Sequence, residues 1–345
     1  MAYTTVNKSS DYFNTKLYTG NGGTQSITGV GFQPDWVWIK SRTTGGYHNV
    51  FDAVRGVTKR IFTNDTQAEN TSAATLTAFG SDGFSVGSNG DVNGNSQSQV
   101  AWNWLANGAG SANTDGSISS TVSANTTSGF SIVSWTGNGS AATVGHGLGS
   151  APKVVIIKSR DNAHAWFVGH QSLDASAPWT KYMTLENSNA INDDIIWNDT
   201  APTSSLFSVG NYSSTNGSGV KFIGYCFAEK QGFSKFGSYT GNGNADGTFV
   251  YTGFKPAWVM TKKTSGTSSW DMHDTKRDTF NVATKHLLAE DAGAEGSTVV
   301  LDILSNGFKF RTSNGDRNAS GATYIYMAFA EAPLVGSNNV PCTAR

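Results

Sequence analysis

Short runs of alternating side chains mark the chain, and the clearest of them follow three prolines. In Trp36–Lys40 the alternation places Trp36, Trp38 and Lys40 on one face of a strand, with Val37 and Ile39 on the other. Residues 154–158 and 258–262 repeat the pattern, and each run ends in a lysine. Because both faces are apolar, each run predicts a strand that is covered on both sides or lies at an interface.

Four landmarks occur in the same order three times. An aromatic residue followed by Thr-Gly-Asn-Gly begins each copy, at 18–22, 135–139 and 239–243. The proline-led strand comes next, then a Phe-containing run, and then an aromatic closing run at 100–105, 222–228 and 324–330. The copies start 117 and then 104 residues apart, which is far longer than a solenoid repeat of roughly 20–50 residues. A unit of that length is able to bury its own core.

The sequence therefore predicts an all-β protein of three tandem antiparallel β-sandwich repeats, of the jelly-roll or lectin-like kind, in a row. The expected divisions are an N-terminal arm (1–10), segment 1 (11–108), a linker (109–127), segment 2 (128–230), segment 3 (231–332) and a C-terminal tail (333–345). Turn clusters at 88–94, 215–219 and 313–316 predict hairpins. Residues 284–290 fit either a short helix or a strand.

Composition supports the all-β prediction and excludes several classes of function. Charged residues are only 14% of the chain, aromatics are 12%, and there are 40 glycines, which is typical of strands joined by tight turns. The formal net charge is −1, so we expect no nucleic-acid partner and no anionic membrane partner. No signal region and no run of 18 apolar residues occurs, so we expect no membrane insertion, and exit from the cell within a particle rather than by classical secretion.

Only two cysteines occur, Cys226 and Cys342. Cys226 lies in an aromatic run and is predicted to be buried, whereas Cys342 lies in the tail. We do not expect the fold to depend on a disulfide between them.

One lysine is the only charged residue present in all three copies, as Lys40, Lys158 and Lys262. It could contact an acidic partner or a glycan. The favoured alternative is a charge at a strand end whose aliphatic stem covers an aromatic neighbour. Together with Trp36, Trp38 and Trp258, the three lysines form the candidate binding set, since aromatic side chains suit sugar stacking or a protein interface.

Other clusters point weakly to chemistry. Asp271, His273 and Asp274 resemble catalytic groups but occur in one segment and have no nearby nucleophile. Asp91, Asn93 and Asn95 resemble a calcium loop that lacks the downstream glutamate, so a turn is preferred. His164 and His170 are too few to indicate a metal. We therefore expect a protein that is not an enzyme and has no cofactor or metal.

The Thr-Gly-Asn-Gly landmark differs from a phosphate-binding loop because no helix follows it and no Lys-Ser/Thr pair completes it. A turn with positive φ at Gly or Asn explains it better.

Several stretches resemble a domain family that is widespread in tailed bacteriophages, especially marine and cyanobacterial ones. The resemblance lies in 31–40, 52–56, 113–125, 129–133 and 145–153. It implies a virion structural protein, often a tail-fibre or surface protein, and it carries over no catalytic residue. Two departures occur: Thr264 stands where an arginine follows Lys40 and Lys158 by two positions, and segment 2 has no counterpart of the 52–56 motif.

The expectation is thus a non-enzymatic virion structural protein displayed on the particle surface, as a capsid decoration, a knob or a tail fibre. Its partners would be major capsid or tail proteins, a host surface glycan, and further copies of the chain, for example in a trimer. A carbohydrate-binding tail adhesin is the alternative. A glycan depolymerase is less favoured because no carboxylate pair recurs across the segments.

Overall fold

Strands dominate the structure, a computed structural model that describes residues 3–335 and 341. Segment 1 and the residues before it contain a 3₁₀ turn (Ser9–Asp11) and strands β1 (Phe13–Thr19), β2 (Gln25–Thr28), β3 (Trp36–Ser41), β4 (Asn49–Asp52), β5 (Lys59–Phe62), β6 (Asn70–Thr71), β7 (Leu76–Gly80), β8 (Gly83–Val86) and β9 (Ser98–Trp104), with helix α1 (Gly90–Asn93) before β9.

The next strands are β10 (Ser111–Asn113), β11 (Ser120–Asn125), β12 (Phe130–Thr136), β13 (Ala142–Gly145), β14 (Val154–Ser159), β15 (Trp166–His170), β16 (Lys181–Thr184), β17 (Asn192–Asp193), β18 (Leu206–Val209) and β19 (Lys221–Phe227). Helix α2 (Ser213–Asn216) precedes β19, and 3₁₀ turns occur at Pro178–Thr180 and Ile195–Trp197. Because β10 and β11 extend the sheet of segment 2, about half of the stretch predicted as a linker is part of that sheet.

Segment 3 contains β20 (Ser234–Thr240), β21 (Phe249–Tyr251), β22 (Phe254–Lys263), β23 (Asp271–Asp274), β24 (Ala283–Leu288), β25 (Gly296–Leu304), β26 (Gly307–Phe310) and β27 (Thr323–Pro333), with α3 (Gly315–Asn318) before β27. Residues 283–288 are thus a strand, which was one of the two predicted alternatives. The turn clusters predicted as hairpins instead overlap the one-turn helices α1, α2 and α3.

Three large sheets share one order of strands around their centres. The orders are β1-β9-β3-β4-β5-β6, β10-β11-β12-β19-β14-β15-β16-β17 and β20-β27-β22-β23-β24-β25-β26-β21, and two small sheets are β2-β8-β7 and β13-β18. In each segment the closing strand lies between the first strand and the proline-led strand, and all of these pairs are antiparallel. The all-β prediction is confirmed. Among the described residues, no helix is long and apolar enough to cross a membrane.

The predicted two-sided burial of the proline-led strands is also confirmed. Every residue of β3 is buried. Trp36 and Trp38 belong to one hydrophobic cluster, and Val37 and Ile39 belong to another, which they form with side chains of the small sheet such as Ile27 and Phe84.

The largest cluster is common to all three segments, so the arrangement differs from three separate cores in a row. It contains Trp36 and Trp104 of segment 1, Tyr225 of segment 2, and Trp258 and Phe329 of segment 3. Trp36 lies 4.7 Å from Tyr225 and Trp104 lies 5.9 Å from Trp258, measured between ring centroids. When the segments pack against one another, aromatic faces that would otherwise contact water are buried, and this burial stabilises the packing.

Candidate functional site

The three lysines of the candidate binding set lie where segments meet. Each ammonium group donates hydrogen bonds to main-chain carbonyls of another segment, at 2.8–3.2 Å. The acceptors are Ala292 for Lys40, Thr66 for Lys158, and Ser188 and Asn189 for Lys262. Segment 1 therefore contacts segment 3, segment 2 contacts segment 1, and segment 3 contacts segment 2, which is a closed cycle of three junctions.

All three lysine side chains are buried. Burial lowers the pKa of Lys40, Lys158 and Lys262 to about 8. At neutral pH they remain largely charged, and their protons are shared with carbonyls rather than with carboxylates. Lys262 also lies 5.9 Å from the Trp270 ring, but these lysines mainly join segments rather than cover an aromatic side chain.

The three tryptophans of the candidate binding set are also interior. Trp36 is 3% exposed, and Trp38 and Trp258 are each 1% exposed. These rings contact other residues of the same chain: Trp36 and Trp258 pack against other segments, and Trp38 packs against Trp102 and His48 within segment 1. Their size explains this, since large aromatic side chains dominate the energetics of a core.

A titratable residue occupies one equivalent position in each segment, 16 residues after the first residue of the alternating runs that begin at 36, 154 and 258. Asp52, His170 and Asp274 each pair in register with that residue, which is Trp36, Val154 or Trp258 respectively. Sequence reasoning missed this set, although the equal offset and the shared Asp-x-x-Arg of 52–55 and 274–277 could have revealed two of its members.

The carboxylate of Asp52 links segments 1 and 2. It accepts hydrogen bonds from the Arg55 Nε and from the hydroxyl of Tyr225, at 2.5 and 2.8 Å. Arg55 also donates to Glu69 and to the Val50 carbonyl. Burial and the charge of Asp52 raise the pKa of the Tyr225 hydroxyl well above its usual value, so it remains a donor.

Asp274 repeats this network between segments 3 and 1. It accepts from Arg277 Nε at 2.5 Å and from the indole of Trp102 at 3.0 Å. Arg277 donates in turn to Glu295. Burial opposes ionisation, but Arg277 keeps the pKa of Asp274 below its ordinary value.

His170 takes the equivalent place between segments 2 and 3 without a charge. Its Nε2 lies 3.2 Å from the carbonyl oxygen of Tyr326, and its Nδ1 accepts from the amide of Ser172 at 3.1 Å. Since one nitrogen must donate and the other must accept, these contacts fit the neutral ring. Burial lowers the pKa of His170 to about 4.

Two junctions carry a further two-pronged ion pair. Arg42 donates to both carboxylate oxygens of Glu295 at 2.9 and 2.8 Å, and Arg160 donates to both oxygens of Glu69 at 3.0 Å. The third junction has Thr264 and Ile191 at these positions, joined by a main-chain hydrogen bond of 3.3 Å. The departure at Thr264 noted in the sequence therefore lies at this junction.

The cluster that most resembled catalytic groups is held inside segment 3. Asp271 is bound by Arg317 and lies 3.3 Å from His273, and both Asp271 and His273 are about 1% exposed. Burial opposes ionisation, but His273 and Arg317 together lower the pKa of Asp271. In the described ranges, no three His, Cys, Asp or Glu side chains are placed to hold a metal ion.

The Thr-Gly-Asn-Gly landmarks are turns with positive φ, as predicted, at Gly22 (69°), Gly139 (74°) and Gly243 (69°). A fully buried asparagine holds each turn: Asn93, Asn216 and Asn318. Its amide donates to the side-chain oxygen of the asparagine in the turn and to a carbonyl beyond it. Asn93, considered above as a calcium ligand, thus has a structural role. Cys226 is buried, as predicted, and Cys342 lies outside the described residues.

Comparison with known proteins gives one assignment. No curated protein and no solved structure matches the chain. Residues 8–333 match a family described as a domain of unknown function, DUF7483. Because this match spans nearly the whole chain, the protein belongs to the DUF7483 family.

Proposed function

We propose that this chain is a non-enzymatic structural protein of a bacteriophage virion, displayed on the surface of the particle. One observation carries the proposal: the side chains that recur in all three segments are buried and hold the molecule together. The lysines Lys40, Lys158 and Lys262 join the segments, and Asn93, Asn216 and Asn318 fix their turns. This arrangement favours a rigid structural protein over an enzyme with an active site in each segment.

As part of this proposal, the chain is three tandem sandwich-like repeats, with segments 1, 2 and 3 bounded at 11–108, 128–230 and 231–332. Equal strand registers around β9, β19 and β27 support it. So does the layering of small against large sheets in segments 1 and 2. The repeats surround one shared core, so a single chain already has the approximate symmetry of a trimer.

The state of the charged groups supports a structural role over hydrolysis. A glycoside hydrolase needs two carboxyl groups that reach the substrate. The carboxylates of Asp52, Asp271 and Asp274 are instead buried and bound to arginines.

The surface supports display on a particle. Exposed loops such as 21–24 and 242–246 are rich in small polar residues, chiefly Gly and Asn, and the net charge is near zero. These features suit a protein that contacts capsid or tail proteins, other copies of itself, or a host surface glycan through neutral polar groups.

Immunogold labelling of intact phage with an antibody against this chain tests the proposal. Label over the head would identify a capsid decoration, and label confined to the tail would identify a fibre or an adhesin. Absence of label from intact particles, with label on disrupted ones, would contradict surface display. Absence from both would contradict a virion role.

A further inference from the structure

Segment 3 exposes two aromatic rings where the other segments do not. Phe249 and Tyr251, both on β21, are 43% and 48% exposed. Residues two apart on a strand share a face and lie about 7 Å apart. These rings therefore form one exposed aromatic strip at the edge of a sheet.

The fold does not require these aromatic residues. The pairs Val250–Phe308, Ile27–Phe84 and Val144–Phe207 are equivalent in the three segments. Phe249 precedes Val250 by one residue, so it corresponds to Ser26 of β2 and Thr143 of β13. By the same register, Tyr251 corresponds to Thr28 and Gly145. Small residues thus suffice at these positions, and exposed aromatic rings carry a cost in solubility.

Tyr251 stands on the wall of a cleft between segments 2 and 3. The cleft has a volume of about 550 Å³, and its lining includes Lys153, Gln171, Glu229 and Lys235. The Lys235 ammonium lies 5.2 Å from the centre of the Tyr251 ring. Gly253, with φ of +81°, also lines this cleft, and its carbonyl accepts a hydrogen bond from the Tyr3 hydroxyl at 2.6 Å.

A second cleft lies beside the first. Its volume is about 510 Å³, and it shares Gln171 with the first cleft. Half of its lining residues carry hydroxyl groups, including Ser238, Thr264 and Ser265, and the others include Asp174 and the apolar Ile191. The Gln171 amide donates to the Phe236 carbonyl, which fixes this side chain where the two clefts meet. The second cleft lies at the junction where Thr264 and Ile191 replace an arginine–glutamate pair.

From these features we infer that the two clefts bind a neutral oligosaccharide across the junction of segments 2 and 3. The charges of Lys153, Lys235, Glu229 and Asp174 cancel, which disfavours an anionic or a cationic ligand. Hydroxyl and amide groups along the walls match the hydroxyl groups of a sugar. The Tyr251 ring offers a surface for the apolar face of a pyranose. Two adjacent clefts of about 550 and 510 Å³ have space for several sugar units rather than one.

Calorimetry with the purified full-length chain tests this inference. The probes are tetrasaccharides of glucose, mannose, galactose and N-acetylglucosamine, with a sulfated and a uronic-acid oligosaccharide as anionic probes. Tyr251→Thr and Phe249→Ser install the residues that segment 1 carries at the equivalent positions. Phe280→Ser is the matched control, because Phe280 is 79% exposed and lies outside both clefts.

We expect at least one neutral tetrasaccharide to bind, with a Kd that rises about tenfold in Tyr251→Thr, corresponding to ~1.4 kcal/mol. Phe280→Ser should bind like the parent. Unchanged circular dichroism and melting of the variants would show that they fold, and Lys235→Gln provides a second cleft variant with an expected loss of several-fold.

Three outcomes would overturn the inference: no neutral probe binds, binding survives the Tyr251→Thr and Phe249→Ser double variant, or only anionic probes bind. The inference deepens the proposed function, which includes contact with a host surface glycan, and it rests on that function for the source of the sugar. It concerns the protein in solution, so a negative result here leaves the immunogold result intact, and the reverse also holds.

Discussion

Two of the junctions between segments are ionic and the third is neutral, although the main chain is arranged alike in all three. The amide of Glu69 donates to the Arg160 carbonyl at 2.8 Å, and that of Glu295 donates to the Arg42 carbonyl at 2.9 Å. Ile191 and Thr264 make the same main-chain bond at 3.3 Å. The side chains differ: two arginine–glutamate pairs in the first two junctions become threonine and isoleucine in the third.

The ionic junctions and the neutral junction also differ at a second position. Asp52 and Asp274 accept hydrogen bonds from Tyr225 and Trp102, whereas His170 contacts a main-chain carbonyl. The shared elements are the buried lysine and the main-chain bond. These two contacts therefore set the geometry of a junction, while the side chains around them can be ionic or neutral provided that each polar group has a partner.

The largest expected difference between the junctions comes from removing the buried acid. Asp52→Ala and Asp274→Ala leave Arg55 and Arg277 buried without their main partner, so each should lower the free energy of unfolding by about 3–5 kcal/mol. His170→Asn, at the equivalent neutral position, should lower it by roughly 1 kcal/mol, since it loses at most a hydrogen bond. Urea denaturation at pH 7 measures all three. Equal losses at the three positions would show that the ionic character of a junction has no bearing on stability.

Much of the β architecture could be predicted, because it rests on local patterns. Alternation in 36–40 gives a strand with two buried faces, and glycine in Thr-Gly-Asn-Gly gives a turn with positive φ. The junctions could not be predicted in the same way. Lys40, Lys158 and Lys262 bind main-chain carbonyls, which any residue offers, so their acceptors leave no trace in the sequence. A recurring lysine therefore resembles a surface contact until the packing of segments is known.

The candidate sugar-binding clefts were harder to predict than the junctions, because the residues that recur are not the ones that line them. The aromatic residues that recur between segments, such as Trp36 and Trp258, are the ones that the shared core uses. The exposed pair Phe249 and Tyr251 occurs in one segment only. Sequence repetition thus indicates the positions that the fold needs, and the positions where one repeat differs from the others are better candidates for a specific contact.

Acid pH should distinguish the neutral junction from the ionic ones. The pKa of His170 is about 4 in the folded protein, below its value of about 6.5 in an unfolded chain. Between these values the unfolded chain binds a proton that the folded protein does not, so stability falls as pH decreases from 6.5 towards 4. Neutral His170 accounts for at most about 3 kcal/mol of this decrease in the free energy of unfolding. Asp274, whose pKa is lowered, keeps its stabilising charge over this range.

Urea midpoints at pH 7 and pH 5 measure this loss. Other buried histidines, including His48 and His146, also contribute, so the informative quantity is the difference between the parent and His170→Asn. The variant should lose less stability on acidification than the parent does. His164→Asn is the control, because His164 is only partly buried, and it should change the pH dependence little. An identical loss in the parent and in His170→Asn would contradict the role assigned to this ring.

Converting the neutral junction into an ionic one should have the smallest effect on stability, and it tests directly whether the shared main chain sets the geometry of the side chains. Thr264→Arg with Ile191→Glu places both partners on a main-chain frame that already matches that of the Arg160–Glu69 pair. In a double-mutant cycle we expect a favourable coupling of about 0.5–1 kcal/mol, as for a partly exposed two-pronged pair. The coupling should weaken in 1 M NaCl because the pair is not fully shielded from solvent. Each single variant should be neutral or destabilising, since the new charge lacks its partner. Zero coupling would mean that the main-chain bond alone does not set the side-chain geometry, and that the ionic junctions depend on the neighbouring Asp-x-x-Arg networks of Asp52 and Asp274.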